Sequence, residues 1–476
     1  MGVAYPKIIQ GGMGVAISNW HLARTVSKLG QLGVVSGVAL EVLMVRRLQE
    51  GDVGGHIRRA LEKFPFREMA RRALEKYYIP GGKADDKPFA AIPFHKQAGS
   101  IKLHELCVLG NFVEVFLARE GHDGAVGINY LEKIQMPHLP SIYGAMLAGV
   151  GYVVMGAGIP IMIPGVLDSF SNHEPASYPL NVVGAQAGDK KFTRFDPRDI
   201  MEGDHPPLER PRFLPIIASN VLAMTMLRRS NGKVDGFVIE GPTAGGHNAP
   251  PRGKLQMNEL GEPIYGERDS VDLGKIQELG LPFWVAGGCA SADKLREVLA
   301  MGGTGIQVGT AFALCEESGM SQEYRSALLQ QAVAGTAQVF TDRLASPTGF
   351  PFKVAQLEGT LSEEDVYLLR TRVCDLGYLR EAYKKDDGSL GYRCASEPVE
   401  IYITKGGEES NTVGRKCICN SLVSNVGLPQ VRKDGSVEKP LLTSGDDLAE
   451  IARFIPEGRT SYTAGDVITK LLELET

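Results

Sequence analysis

Short apolar runs recur along this chain and alternate with longer stretches in which apolar and charged positions repeat every three or four residues. Runs of this length, closed by glycine, suit strands buried on both faces, and the stretches between them suit amphipathic helices. Eight runs can be followed in order: Ile8–Gln10, Leu32–Val38, Ala125–Asn129, Tyr152–Ala157, Phe213–Ala218, Gly236–Glu240, Pro282–Ala286 and Gly305–Val308. Strands separated by helices predict a parallel sheet, and eight repetitions predict its closure into an α/β (β/α)8 TIM barrel.

Three stretches exceed what such a barrel needs. Glu41–Tyr78 is charged and helix-like (RRLQE, HIRRALEKF, REMARRALEKYY) with a Pro/Gly-rich exit at Ile79–Lys83, and it predicts a helical insertion over about 41–85. Around residues 178–212 the alternation breaks: Leu180–Ala185 and Lys191–Phe195 predict an antiparallel hairpin, followed by a Pro-rich surface loop (GDHPPLERP). The barrel, with both insertions, is assigned to residues 1–355, and residues 356–476 form a separate α+β extension. There, Ser362–Leu369 predicts a helix, Val399–Tyr402 a short strand, and Leu448–Ile455 and Ala464–Leu474 closing helices, with Asp446 and Thr463 placed to cap them.

Composition sets the class. The chain has 476 residues, 43% hydrophobic and 22% charged, with a net charge of −5, values ordinary for a globular protein. This balance advertises no nucleic acid or anionic lipid, so a small molecule is the expected partner. Ser141–Leu167 carries no charge and is long enough to span a bilayer, but its glycines and prolines fit a helix, a buried strand and a second helix better. Met1–Pro6 lacks the Ser or Thr of a myristoylation signal. Seven cysteines, an odd number without a secretory leader, point to a reduced, cytoplasmic protein.

The candidate chemistry sits where apolar runs end in glycine: IIQGGM at 8–13, VIEGPTAGGH at 238–247, WVAGGCAS at 284–291 and IQVGTAF at 306–312. Glycine lets a backbone approach a ligand closely. Paired glycines after the last two strands of such a barrel are where these folds hold a phosphate. His247 follows two glycines at the C-terminal end of the sixth strand, the end from which barrel enzymes draw their catalytic groups. With an ordinary imidazole value of roughly 6.5 it would hold an anion or move a proton at neutral pH. Glu240, in the same stretch, reads as an anchor for the backbone or loop.

At these residues the chain resembles the nitronate monooxygenase family, formerly 2-nitropropane dioxygenases, and the related flavin-dependent enoyl-acyl-carrier-protein reductases. The resemblance rests on IIQGGMGVAIS, GIN at 127–129, VVMGAGIP at 153–160, VIEGPTAGGH, VAGGCAS and GIQVGTAFALCEES at 305–318, and runs over residues 5 to 355. It implies an FMN-containing barrel. Gly11, Gly12 and Met13 would line the isoalloxazine ring and Asn129 would hydrogen-bond it. Gly245 and Gly246 would border it, Gly287, Gly288, Gly309 and Thr310 would cradle the phosphate with Gln307 beside them, and His247 would be the active-site histidine. GGMG at the start, where many nitronate monooxygenases have Ala-Pro-Met, and IEGPTAGGH and GAGIP, which look closer to the enoyl reductases, leave the substrate open.

Three functional readings follow from the resemblance. The first is an FMN-dependent oxidoreductase that oxidises alkyl nitronates or a similar small anion with dioxygen. The second is an enoyl thioester reductase that uses NAD(P)H, and the third a flavin-binding protein without turnover. Self-association is compatible with each. In the extension, Cys374, Cys394, Cys417 and Cys419 fall within 46 residues. Four thiolates can bind zinc or an iron–sulfur cluster, although the C-x-C spacing is tighter than the usual knuckle, and buried unpaired thiols are the competing reading.

Overall fold

The structure is a computed structural model that describes residues 5–186 and 188–473. The reading of Met1–Pro6 as lacking a lipidation signal therefore falls largely outside the described residues, as does Leu474. Eight parallel strands close into a barrel: β1 (Ile8–Gln10), β2 (Leu32–Ser36), β3 (Val126–Leu131), β4 (Tyr152–Gly156), β5 (Arg212–Ile217), β6 (Phe237–Glu240), β7 (Phe283–Ala286) and β8 (Gly305–Val308). Each pairs with its neighbours in sequence, and β1 completes the ring against β8 through Ile8–Ile306, Ile9–Gln307 and Gln10–Val308. Side chains fill the interior. Ile9, Leu32, Val34, Val154, Leu214, Val238 and Trp284 form one buried cluster inside the ring, as expected of a packed barrel core.

The uncharged stretch at 141–167 resolves into parts of the helix His138–Leu147, strand β4 and the helix Ile163–Ser171. Among the described residues, no helix is long and apolar enough to cross a membrane.

The segment between β2 and β3 holds the helices Leu40–Gln49, His56–Leu61 and Arg67–Tyr77, and then the longer Ile101–Arg119. The last of these escapes the sequence pattern because most of its circumference is buried. It packs between Leu40–Gln49 on one side and His138–Leu147 on the other, so no polar face marks its period.

The hairpin is corrected in register. Its arms are Ala176–Leu180 and Lys191–Phe195, and Val182–Val183 leaves it to pair in parallel with Glu381–Lys384 of the extension. Val399–Tyr402 is not a strand. Pro398 starts a helix at Val399–Thr404, which the β-branched residues of this segment disguise.

The closing segments are Asp446–Phe454, a 3-10 helix, and Ala464–Leu472. Thr463 caps the second in a reciprocal box with Asp466. Asp446 caps nothing: Gly445 holds the cap position, and the Asp446 carboxylate instead accepts from Lys353 Nζ at 2.6 Å.

The extension lies on the barrel. Just before it, Val339–Asp342 and Phe352–Ala355 form an antiparallel sheet whose third strand is Gly246–His247. Leu376, Tyr378, Val423 and Leu428 join the largest core cluster, and Leu442, Leu448, Ile451 and Val467 join the cluster around β8.

Candidate active site

A cavity of about 230 Å³ opens where the strands end, with one wall from the barrel and the other from the extension. Of the glycine motifs singled out above, the structure brings Gly11, Gly12, Gly245, Gly246, Gly287, Gly288 and Gly309 to its wall, together with Met13, Asn129, His247, Gln307 and Thr310.

On the barrel side the wall is largely backbone. The chain leaves β1 with Gly11 N donating to Val308 O at 3.0 Å, while the Ser18 hydroxyl bonds Gly11 O and Met13 N at 2.9 Å each. Gly12 is required by its neighbour: a Cβ there would lie 2.3 Å from Asn129 Cβ. Asn129 is buried, and among the described residues its side-chain amide bonds no protein group, so both of its ends remain available to a ligand. After β7, Gly287 and Gly288 have φ of +89° and +63°, the left-handed region where a Cβ is strained. That turn leaves a backbone surface beside Thr243.

The opposite wall, which the sequence reading assigned to a separate extension, holds Tyr378, Leu379, Ile418, Cys419, Thr443 and Asp447, among others. Its fit to the barrel is tight: a Cβ on Gly245 would meet Gly445 N at 2.7 Å, and Gly445 N donates to Thr310 Oγ1 at 3.0 Å. The Thr310 hydroxyl is thus already engaged by the extension. Burial raises the pKa of Asp447, which lies in the wall near Gly288. Cys419 apart, no pattern in the sequence marked these residues, because they reach the cavity from far along the chain.

His247 is fixed from both sides. Its Nε2 lies 2.7 Å from Ser346 Oγ, which lies 2.8 Å from Thr348 Oγ1, and its ring packs edge-on against Phe352 with centroids 4.8 Å apart. Burial pushes the imidazole down to about 4. The residue expected to titrate near neutrality is therefore a neutral imidazole at pH 7, since its surroundings disfavour the cation. Glu240 also departs from expectation. Among the described residues its carboxyl anchors nothing; it stands in the cavity wall, and burial raises it to about 7.

A second polar group lies behind this wall. The buried Glu41 carboxylate accepts from Tyr378 Oη at 2.6 Å and sits 2.7 Å from His95 Nε2, with Cys107 beside them. Burial pushes Glu41 up, but the bonds from His95 and Tyr378 outweigh it and leave the carboxyl below its usual range. The cluster ties the helical insertion to Tyr378 of the extension.

Residues 212–344, from β5 through the strand Val339–Asp342, match the family model described as nitronate monooxygenase. Over this segment the chain is similar to the nitronate monooxygenases. The nitronate monooxygenase of Pseudomonas aeruginosa is 32% identical over 151 residues, 31% of this chain and 41% of that protein. That of Paraburkholderia phytofirmans is 30% identical over 161 residues, 33% of this chain and 42% of its own. The matches thus span about two fifths of these curated relatives. FabK from Thermotoga maritima superposes over 99% of this chain and 92% of its own at 15% identity, with a TM-score of 0.46. The segment shared with the nitronate monooxygenase model carries Glu240, His247 and the glycines after β7 and β8. The β1 motif, Asn129 and the cysteine-bearing wall lie outside it.

Proposed function

We propose that this protein is an FMN-dependent oxidoreductase of the nitronate monooxygenase type, acting on an alkyl nitronate or a similar small anion. The observation that carries the proposal is a neutral, doubly anchored His247 facing a cavity whose other side is glycine backbone. The site fits a flavin. Asn129 has a free amide for the ring, Gly11, Gly12 and Met13 offer an edge without bulky projections, and Gly287, Gly288 and Gly309 leave backbone bare where a phosphate would rest. When bound, FMN supplies electron acceptance from an electron-rich substrate and delivery of those electrons to dioxygen.

The protein's own residues supply the rest. Neutral His247 can donate a hydrogen bond to an anionic oxygen or accept a proton from a carbon acid, and Ser346 and Phe352 hold it in place for either. An anion bound against the ring would raise its affinity for a proton, so substrate and proton are held together. The buried wall strengthens that contact by excluding water.

One observation favours reduction of an activated alkene instead. Glu240, raised to about 7, still carries a proton near neutrality and could deliver it to a substrate carbon.

Anaerobic mixing of the FMN-loaded full chain with an alkyl nitronate, and separately with NADH, distinguishes the two. Bleaching by the nitronate, with dioxygen uptake once air is admitted, is the expected result. Bleaching by NADH alone, followed by turnover of an enoyl thioester, would replace the first reading with the second.

A further inference from the structure

The helical insertion and the extension meet at a polar group that the chemistry above does not use. Glu41 stands in the first turn of the helix Leu40–Gln49, His95 on the irregular segment before the helix Ile101–Arg119, and Cys107 within that helix. All three are buried. A carboxylate oxygen, an imidazole nitrogen and the thiol sulfur, one from each, lie within 4.8 Å of one another. His95 Nε2 is 2.7 Å from Glu41 Oε1, which also accepts from Tyr378 Oη at 2.6 Å. The four cysteines of the extension, the metal ligands expected from composition, do not match this. They are free thiols on three separate segments, and among the described residues no three of them close to the same distance.

The trio suits zinc on three counts. Imidazole nitrogen, thiolate sulfur and carboxylate oxygen are the donors that zinc takes from proteins. One thiolate and one carboxylate cancel the two charges of the ion, so the buried site is neutral as a whole. The distances are also near. Tetrahedral zinc, with bonds of about 2.0 Å to nitrogen and oxygen and about 2.3 Å to sulfur, sets its ligand atoms roughly 3.3 to 3.6 Å apart. The His95–Glu41 pair would open by about 0.6 Å as the ion takes the place of the proton between them, and the sulfur would move in by little more than about 1 Å.

The packing beside Glu41 leaves room for such a shift. A void of about 10 Å³ adjoins Glu41 and Tyr378, and its wall also holds His138. The His138 ring donates from Nε2 to Leu131 O at 2.9 Å, and its buried Nδ1 has no partner among the described residues. Around the trio, Tyr378 holds the Glu41 carboxylate and Arg380 Nη2 donates to His95 O at 2.7 Å. Outer partners of this kind orient the ligands of a metal site. We propose that Glu41, His95 and Cys107 bind one zinc ion, and that through Tyr378 and Arg380 this ion ties the extension to the helical insertion. Tyr378 also lines the barrel cavity, so the ion would fix part of its wall. This assignment does not depend on what occupies the cavity.

The test uses the full chain, produced in zinc-supplemented and in zinc-depleted medium and then dialysed. The first preparation should carry about one zinc per chain and melt higher than the second. X-ray absorption should show one sulfur neighbour at about 2.3 Å and otherwise nitrogen or oxygen at about 2.0 Å. His95→Gln and Cys107→Ala should each lose the zinc, while Cys394→Ser, in the extension, should keep it. Should the buried variants fail to fold, the sulfur count in the parent chain still separates this site from a thiolate site in the extension. A zinc-free chain, zinc with two or more sulfur neighbours, zinc retained by folded His95→Gln, or equal melting of the two preparations would overturn the assignment.

Discussion

The two walls of the cavity are built on opposite plans. The barrel wall presents glycine backbone, set by strands whose neighbours are fixed by ring closure. The extension wall presents side chains, Tyr378, Cys419, Thr443 and Asp447, carried on loops and short helices. A ligand that spans both is gripped on the barrel side largely by backbone, with Glu240 and His247 as its titratable groups, and on the other side by side chains. Binding should therefore be sensitive to bulk on the barrel side, and the electronics and protonation of the site should be sensitive to charge on the other. His247 stands on the barrel side: it follows β6, pairs as a strand with Phe352, and Ser346 holds its ring.

The largest effect should come from adding bulk to the backbone wall. Gly288→Val adds a branched side chain at φ +63°. Flavin occupancy should fall from near complete to below about a tenth, measured by release of flavin on heating. An occupancy like the parent's would show that this turn does not face the cofactor.

Next comes the histidine. His247→Ala should retain flavin and lose roughly 10²-fold or more in turnover. Because burial sets the free imidazole near 4, the acid limb of kcat/KM should fall near pH 4 rather than near 6.5. A limb near 6.5 would mean that the histidine is far more solvated than the structure shows. Ser346→Ala, which frees the ring without removing it, should cost about tenfold or less in kcat with flavin content unchanged.

The smallest effect concerns Glu240 and is read in stability. Its folded-state value of about 7 lies above the ordinary 4.5, so between those limits the native chain holds a proton that the unfolded chain has released. Stability from this group is intact below the lower value and is lost as pH rises through the upper one. Glu240→Gln should therefore melt higher than the parent at pH 8 and alike at pH 4. Equal melting at both would place the carboxyl in solvent.

The barrel was legible because buried parallel strands are apolar throughout and their glycine exits stand out; each of the eight runs begins and ends within two residues of its strand. The glycine motifs likewise led to the cavity, since backbone approach leaves a mark in the sequence. The extension was less so. The four cysteines could be picked out from composition, but they lie on three separate segments of the extension. Tyr378 and Asp447 are unremarkable residues until the chain returns them to the barrel mouth. Helix Ile101–Arg119 escaped because burial on most sides erased its period, and Val399–Thr404 because its β-branched residues favour a strand until Pro398 and tertiary packing overrule them.

The central claim is that the glycine wall holds FMN across from His247, and the flavin content of the loaded full chain tests it most directly. Loading with FMN, exhaustive dialysis and heat release should return about one FMN per chain, with Gly288→Val returning almost none. A chain that retains no FMN, or retains it equally well in the Gly288→Val variant, would contradict the account.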